Sequence, residues 1–105
     1  MAGSIIVSKS LRLPTSTWVF DYLVDRIRNE LTTQPTILGK AFQPMDEGGM
    51  MFVSLAELSE NEFSLFMQAT ARARDRAVDA LPEAAYLPWW EKLLDLLSAD
   101  PRVPT

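Results

Sequence analysis

The chain of 105 residues contains no cysteine and no histidine. Without cysteine there is no disulfide, no thiol nucleophile, and no thiolate-held zinc or iron–sulfur cluster. Without histidine, the commonest general base and the commonest metal-binding side chain are both missing. Glycine is scarce at four residues. Its one pair, Gly48-Gly49, is followed by no lysine, which excludes a phosphate-cradling loop of the P-loop kind. Serine–lysine chemistry and carboxylate-held Mg²⁺ or Ca²⁺ remain. No Ser-x-x-Lys occurs, and Ser8-Lys9 on a strand would point to opposite faces. Asp46 and Glu47 lack the spaced oxygen ligands of an EF-hand loop. The expectation is a protein that is no enzyme and needs no cofactor or metal.

Long apolar runs are absent too. Ile5-Ile6-Val7 is too short for the apolar region of a signal peptide, and nothing approaches the ~18 residues of a membrane helix. These absences favour the cytoplasm and no membrane partner. Positive charge is also in short supply, with a net charge of −4 that is unevenly spread. Residues 1–40 carry five basic and three acidic groups, and residues 72–105 carry five basic and six acidic. Residues 41–71 hold Asp46, Glu47, Glu57, Glu60 and Glu62 with no lysine or arginine. A nucleic-acid binder needs a basic face, because phosphate neutralisation supplies most of its affinity. An acidic middle repels phosphate and attracts a basic protein. It can equally be a solvated face.

What is present is enough to fold. Apolar residues make up 48% of the chain, as in globular proteins, and the length suits a single domain over 1–105 with one core. Ser4–Leu13 alternates apolar and polar residues and ends at Pro14, which predicts a strand suited to a sheet edge. Thr15, Ser16 or Thr17 then caps a helix running to about Thr33, with Phe20, Leu23, Val24, Ile27 and Leu31 on one face. Gln34-Pro35 stops it. A short extended piece is expected at Ile37–Phe42, followed by a hairpin turn at Asp46-Glu47-Gly48-Gly49 and a strand at Met50–Leu55. Ser59-Glu60-Asn61-Glu62 is a capping box, opening a helix over Glu60–Leu81 with Phe63, Phe66, Met67, Thr70, Ala77, Val78 and Leu81 inward. Ala69, Ala73 and Ala80 line its flank, and Pro82 ends it. Pro88 suits the first turn of a last helix that buries Trp90, Leu93, Leu94 and Leu97. A loose tail follows from about residue 99. The order β-α-β-β-α-α predicts an α+β fold, a small antiparallel sheet with three helices packed on it.

On the first helix, Trp18 and Tyr22 fall opposite the core stripe, one turn apart, with Asp21, Asp25 and Asn29 around them. Trp and Tyr dominate binding hot spots. Two arrangements remain open: an aromatic docking face, or both rings packed beneath a loop or the last helix. The last helix carries an apolar arc from Leu96 through Trp89 to Leu94 of about 160°, wider than the ~100° a surface helix needs. It is either deeply buried or offers its Trp89–Leu96 edge to a partner or a second copy. Arg74 lies within the apolar stripe of the long helix. It must be paired, with Asp21 or Asp25 as conceivable carboxylates, or reach outward. Arg72, Asp75, Arg76 and Asp79 form a self-paired solvated face. The candidate partner-binding residues are therefore Trp18, Asp21, Tyr22, Asp25, Asp46, Glu47, Glu57 and Glu60.

The stretch Ser54-Leu-Ala-Glu-Leu-Ser-Glu-Asn-Glu-Phe-Ser-Leu-Phe-Met67 resembles the strand-to-helix passage of small bacterial immunity proteins of the contact-dependent growth inhibition type. The resemblance implies a cytosolic antidote that binds and blocks a delivered toxin domain. A basic toxin domain would suit an acidic surface with aromatic anchors. The alternative is a self-associating adaptor or secretion-chaperone-like protein, which would use the Trp89–Leu96 edge and the alanine-lined helix for symmetric contacts.

Overall fold

The computed structural model describes residues 2–80 and 85–103. Among them run β1 (Ala2–Ile6), β2 (Arg12–Ser16), α1 (Thr17–Glu30), α2 (Pro35–Ala41), α3 (Gln43–Asp46), β3 (Phe52–Ser54), α4 (Glu60–Asp79) and α5 (Leu87–Ser98). The fold is α+β, as expected, but the sheet is mixed and the described helices number five rather than three. Strand order is β2-β1-β3.

The expected single strand Ser4–Leu13 is two strands. Val7 and Ser8 donate their backbone N–H groups to Leu11 O at 2.9 and 3.1 Å, turning the chain at Ser8–Leu11. β1 and β2 thus pair antiparallel, with Ile5 opposite Leu13 and Ser4 opposite Pro14. Ser8 and Lys9 lie in the turn, not on a strand. Pro14 does not end the strand. It sits inside β2, which has a neighbour on one side only, where the missing N–H is tolerated.

The piece Ile37–Phe42 is helical, not extended. α1 ends at Glu30, before the expected Thr33, and Pro35 opens α2 rather than stopping α1, because its fixed φ suits the first helical turn. Ile37 and Ala41 then fall one turn apart and are buried. The expected hairpin at Asp46–Gly49 does not form either. Asp46 closes α3, and Gly49 leaves it at φ 63°, donating to Met45 O at 3.2 Å. That left-handed conformation favours glycine. The chain returns by α1–α3 to lay β3 parallel to β1, with Ile5 opposite Val53.

The capping box of α4 is complete. Ser59 Oγ accepts from the Glu62 N–H at 3.2 Å, and the Glu62 carboxylate accepts from the Ser59 N–H at 2.9 Å. The helix ends at Asp79, and the expected Leu81 and Pro82 lie outside the described residues. Val78, expected inward, is exposed.

All the helices serve one buried cluster. Ile5, Val7, Leu13, Val53 and Leu55 face the sheet side of it, and Phe20, Leu23, Ile27, Phe63, Phe66, Trp90, Leu93 and Leu97 face them. Contact between α1 and β1 is close at Gly3, where an added Cβ would fall 2.6 Å from Phe20 Cβ.

The segment after α5, expected to be loose from about residue 99, is tied down as far as Val103. The Arg102 guanidinium donates to Leu55 O at 2.6 Å, Leu58 O at 2.9 Å and Val7 O at 2.9 Å, and pairs with the buried Asp100 at 2.8 Å. It also lies over the Phe63 ring, 4.1 Å from the centroid.

Candidate functional site

Ser16 caps α1, accepting from the Val19 N–H at 3.4 Å. Val19, Phe20, Leu23, Val24 and Ile27 are buried, so their spacing fixes which residues face outward. Trp18 is 82% exposed. Asp21, Asp25 and Asn29 follow it outward along the same helix, all exposed.

Tyr22 behaves differently. It is half-buried, its ring stacks on Tyr86 at 4.0 Å and meets Trp90 edge-on at 5.8 Å. Its hydroxyl accepts from Nε1 of the fully buried Trp90 at 3.2 Å. The Arg26 guanidinium covers its outer side, 5.2 Å from the ring centroid, and pairs with Asp25 at 2.6 Å. Tyr22 is thus packed beneath the α5 region while Trp18 stands clear.

The acid-only stretch 41–71 is acid-only in sequence but not in space. Arg28 of α1 grips Asp46 through two hydrogen bonds, at 3.0 and 3.1 Å, and lies over the Phe42 ring. Lys40 of α2 bonds Glu62 at 2.8 Å. Lys40 and the Ser59 N–H together hold the Glu62 carboxyl below its usual range. Glu47 accepts from Gln43 at 3.0 Å. Glu57, in the turn after β3, and Glu60, at the start of α4, are exposed, with no ion pair among the described residues. The eight candidates therefore divide: Trp18, Asp21, Tyr22 and Asp25 lie along α1, Asp46 and Glu47 close α3, and Glu57 and Glu60 flank the start of α4.

The long helix uses its charges to hold α1. Arg72 and Arg76 both reach Glu30 of α1, at 3.2 and 2.6 Å, instead of pairing within their own face. Arg74 is partly exposed and pairs with Asp75 at 3.1 Å and Glu91 of α5 at 3.6 Å, not with Asp21 or Asp25. Ala69 and Ala73 are buried within this chain, and Trp89 and Leu96 are half-buried against the core. Of the surfaces that symmetric self-association would use, Ala69 and Ala73 are taken up inside the chain, while Ala80, Trp89 and Leu96 stay partly exposed. Arg28, Lys40, Arg102 and Tyr86 are the structurally active residues that sequence reasoning missed.

Among the described residues no group of His, Cys, Asp or Glu side chains is placed to hold a metal ion, and no helix is long and apolar enough to cross a membrane. A groove between α1 and α4 is lined by Arg26, Asn29, Glu30, Ala73 and Arg76. Among the described residues the largest exposed apolar side chain is Trp18.

No family model matches the chain. It is 39% identical over 106 residues to the protein of Burkholderia pseudomallei called Immunity protein CdiI, across 98% of this chain and 95% of that protein. It also matches a solved structure, the CdiA-CT toxin from Burkholderia pseudomallei E479 in complex with its cognate CdiI immunity protein. The TM-score is 0.94 at 36% identity, covering 98% of this chain and 100% of the matched one.

Proposed function

The chain belongs to the CdiI family of immunity proteins, and on that premise we propose that it binds the toxin domain of a CdiA protein and neutralises it. The observation that carries this reading is the likeness, along nearly the whole chain, to an immunity protein solved with its toxin. The mode is stoichiometric occlusion in the cytoplasm, without catalysis. The missing cysteine and histidine support that mode by removing the usual reactive groups.

The contact surface we assign comprises Trp18, Asp21, Tyr22 and Asp25 on α1, with Asp46, Glu47, Glu57 and Glu60 as an outlying acidic set. Exposed Glu57 and Glu60 support a steering role, since rim charges act mainly on the rate of encounter. Asp46 and Glu47 already hold internal partners and are the weaker contributors.

The test is growth rescue. The CdiA-CT domain encoded directly ahead of this chain's gene is expressed from an inducible promoter, with and without the chain. Growth should stop without the chain and resume with it. Equal growth arrest in both cultures, with the chain present as folded protein, rejects the reading.

A further inference from the structure

We infer that Trp18 is the anchor that sets the lifetime of the toxin complex, while Asp21 and Asp25 set the speed of its formation. This rests on the immunity reading and goes beyond it by separating two roles on one helix face.

Three large apolar side chains are exposed among the described residues: Trp18 at 82%, Met50 at 53% and Val78 at 52%. Trp18 differs from the other two in its mount. It sits in the first turn of α1, behind the Ser16 cap. One turn further on is Tyr22, a neighbour on the helix surface, clamped by Tyr86, Trp90 and Arg26. The indole therefore projects from a braced backbone segment, and little backbone freedom is lost when it is buried. Low ordering cost and large area are what make tryptophan a hot-spot residue.

The charge around it selects the partner. Asp21 is exposed and has no ion pair among the described residues. Asp25 pairs with the adjacent Arg26, but its side chain is still 62% exposed. An indole flanked by carboxylates fits a basic protein surface with an apolar slot between its lysine or arginine side chains. Those cations can also lie over the ring face. The occupant is the toxin domain, presenting such a slot.

The two roles separate kinetically. A desolvated ring in a slot resists departure, and exposed carboxylates act at a distance on approach, screened by salt. Surface plasmon resonance with the immobilised CdiA-CT domain encoded directly ahead of this gene reads both. Trp18→Ala should raise Kd about 30-fold, the hot-spot scale, almost wholly through faster dissociation. Its melting temperature should match the parent, because the ring is exposed. The Asp21→Asn/Asp25→Asn pair should slow association several-fold at low salt, and the difference should shrink at about 0.3 M salt. Val78→Ala, the exposed apolar control, should bind as the parent does.

If the parent binds and Trp18→Ala dissociates at the parent rate, the anchor is elsewhere and the immunity reading stands. If the parent fails to bind, the immunity reading itself fails. A large loss of thermal stability in both Trp18→Ala and Trp18→Lys would show that the ring belongs to the fold, which also overturns the inference.

Discussion

Removing the Arg102 guanidinium should destabilise the fold far more than the position of residue 102, near the chain end, suggests. Arg102 supplies hydrogen bonds to three backbone carbonyls at the ends of β1 and β3 and before α4, at 2.6–2.9 Å. It also neutralises Asp100, whose side chain is 2% exposed. Arg102→Ala strands that carboxylate and leaves Val7 O, Leu55 O and Leu58 O without this donor. Breaking a buried pair by removing one partner costs about 3–5 kcal/mol. Because the Arg102 side chain is itself 18% exposed, water can enter and the lower end, about 3 kcal/mol, is expected. In a domain of this size that lowers Tm by roughly 10–20 °C. Urea unfolding should show a lower midpoint at an unchanged slope.

The deficit should also depend on pH. The hydrogen bond from Arg102 is the main force holding the Asp100 carboxyl below its usual range, against the opposing effect of burial. A group with a depressed folded-state pKa contributes its stability above the unfolded value, about 3.9 for aspartate. That contribution fades as pH falls through the folded value. Without Arg102 the effect of burial on the Asp100 carboxyl is unopposed and raises it, so the gap between parent and Arg102→Ala should be widest at neutral pH and narrow as the pH falls. Adding Asp100→Asn to Arg102→Ala should recover part of the loss. A deficit under about 1 kcal/mol at neutral pH would refute the clip as a major tie, since that is the scale of an exposed pair.

Other sites give sharper local outcomes. Gly3→Ala should destabilise by about 1–3 kcal/mol in urea titration, as overpacking does, because the new methyl meets the Phe20 ring. Tyr22→Phe should cost about 1–3 kcal/mol by the same measurement, by orphaning the buried Trp90 N–H. Ile27→Ala should cost about 2–5 kcal/mol of unfolding free energy from its position in the core.

Local structure is legible in the sequence where one residue pattern allows one structure. The Ser59–Glu62 box and the Phe20–Leu31 stripe each have one geometry that satisfies them, and both are found. Misreadings cluster where a residue carries two meanings. Pro35 can stop a helix or open one, and here it opens α2 after α1 has ended at Glu30; Pro14 would end a central strand but is tolerated in an edge strand. Gly48-Gly49 marks a change of direction without saying whether a hairpin or a helix exit makes it. The candidate surface suffered from a different limit. Trp18 and Tyr22 share a face of α1, but only the arrival of Tyr86 and Trp90 from far along the chain separates them. In the same way Arg28 and Lys40 neutralise Asp46 and Glu62, two of the five acids of a stretch that contains no base of its own. Such pairings depend on tertiary placement, which a helical wheel does not carry.

Neutralisation by direct contact requires that this chain and its toxin domain form a stable complex. Sedimentation of the purified chain mixed one-to-one with the CdiA-CT domain encoded beside it tests this most directly. A single species with the mass of one chain plus one toxin domain is expected at micromolar concentration. Two independently sedimenting proteins, both folded, would contradict it.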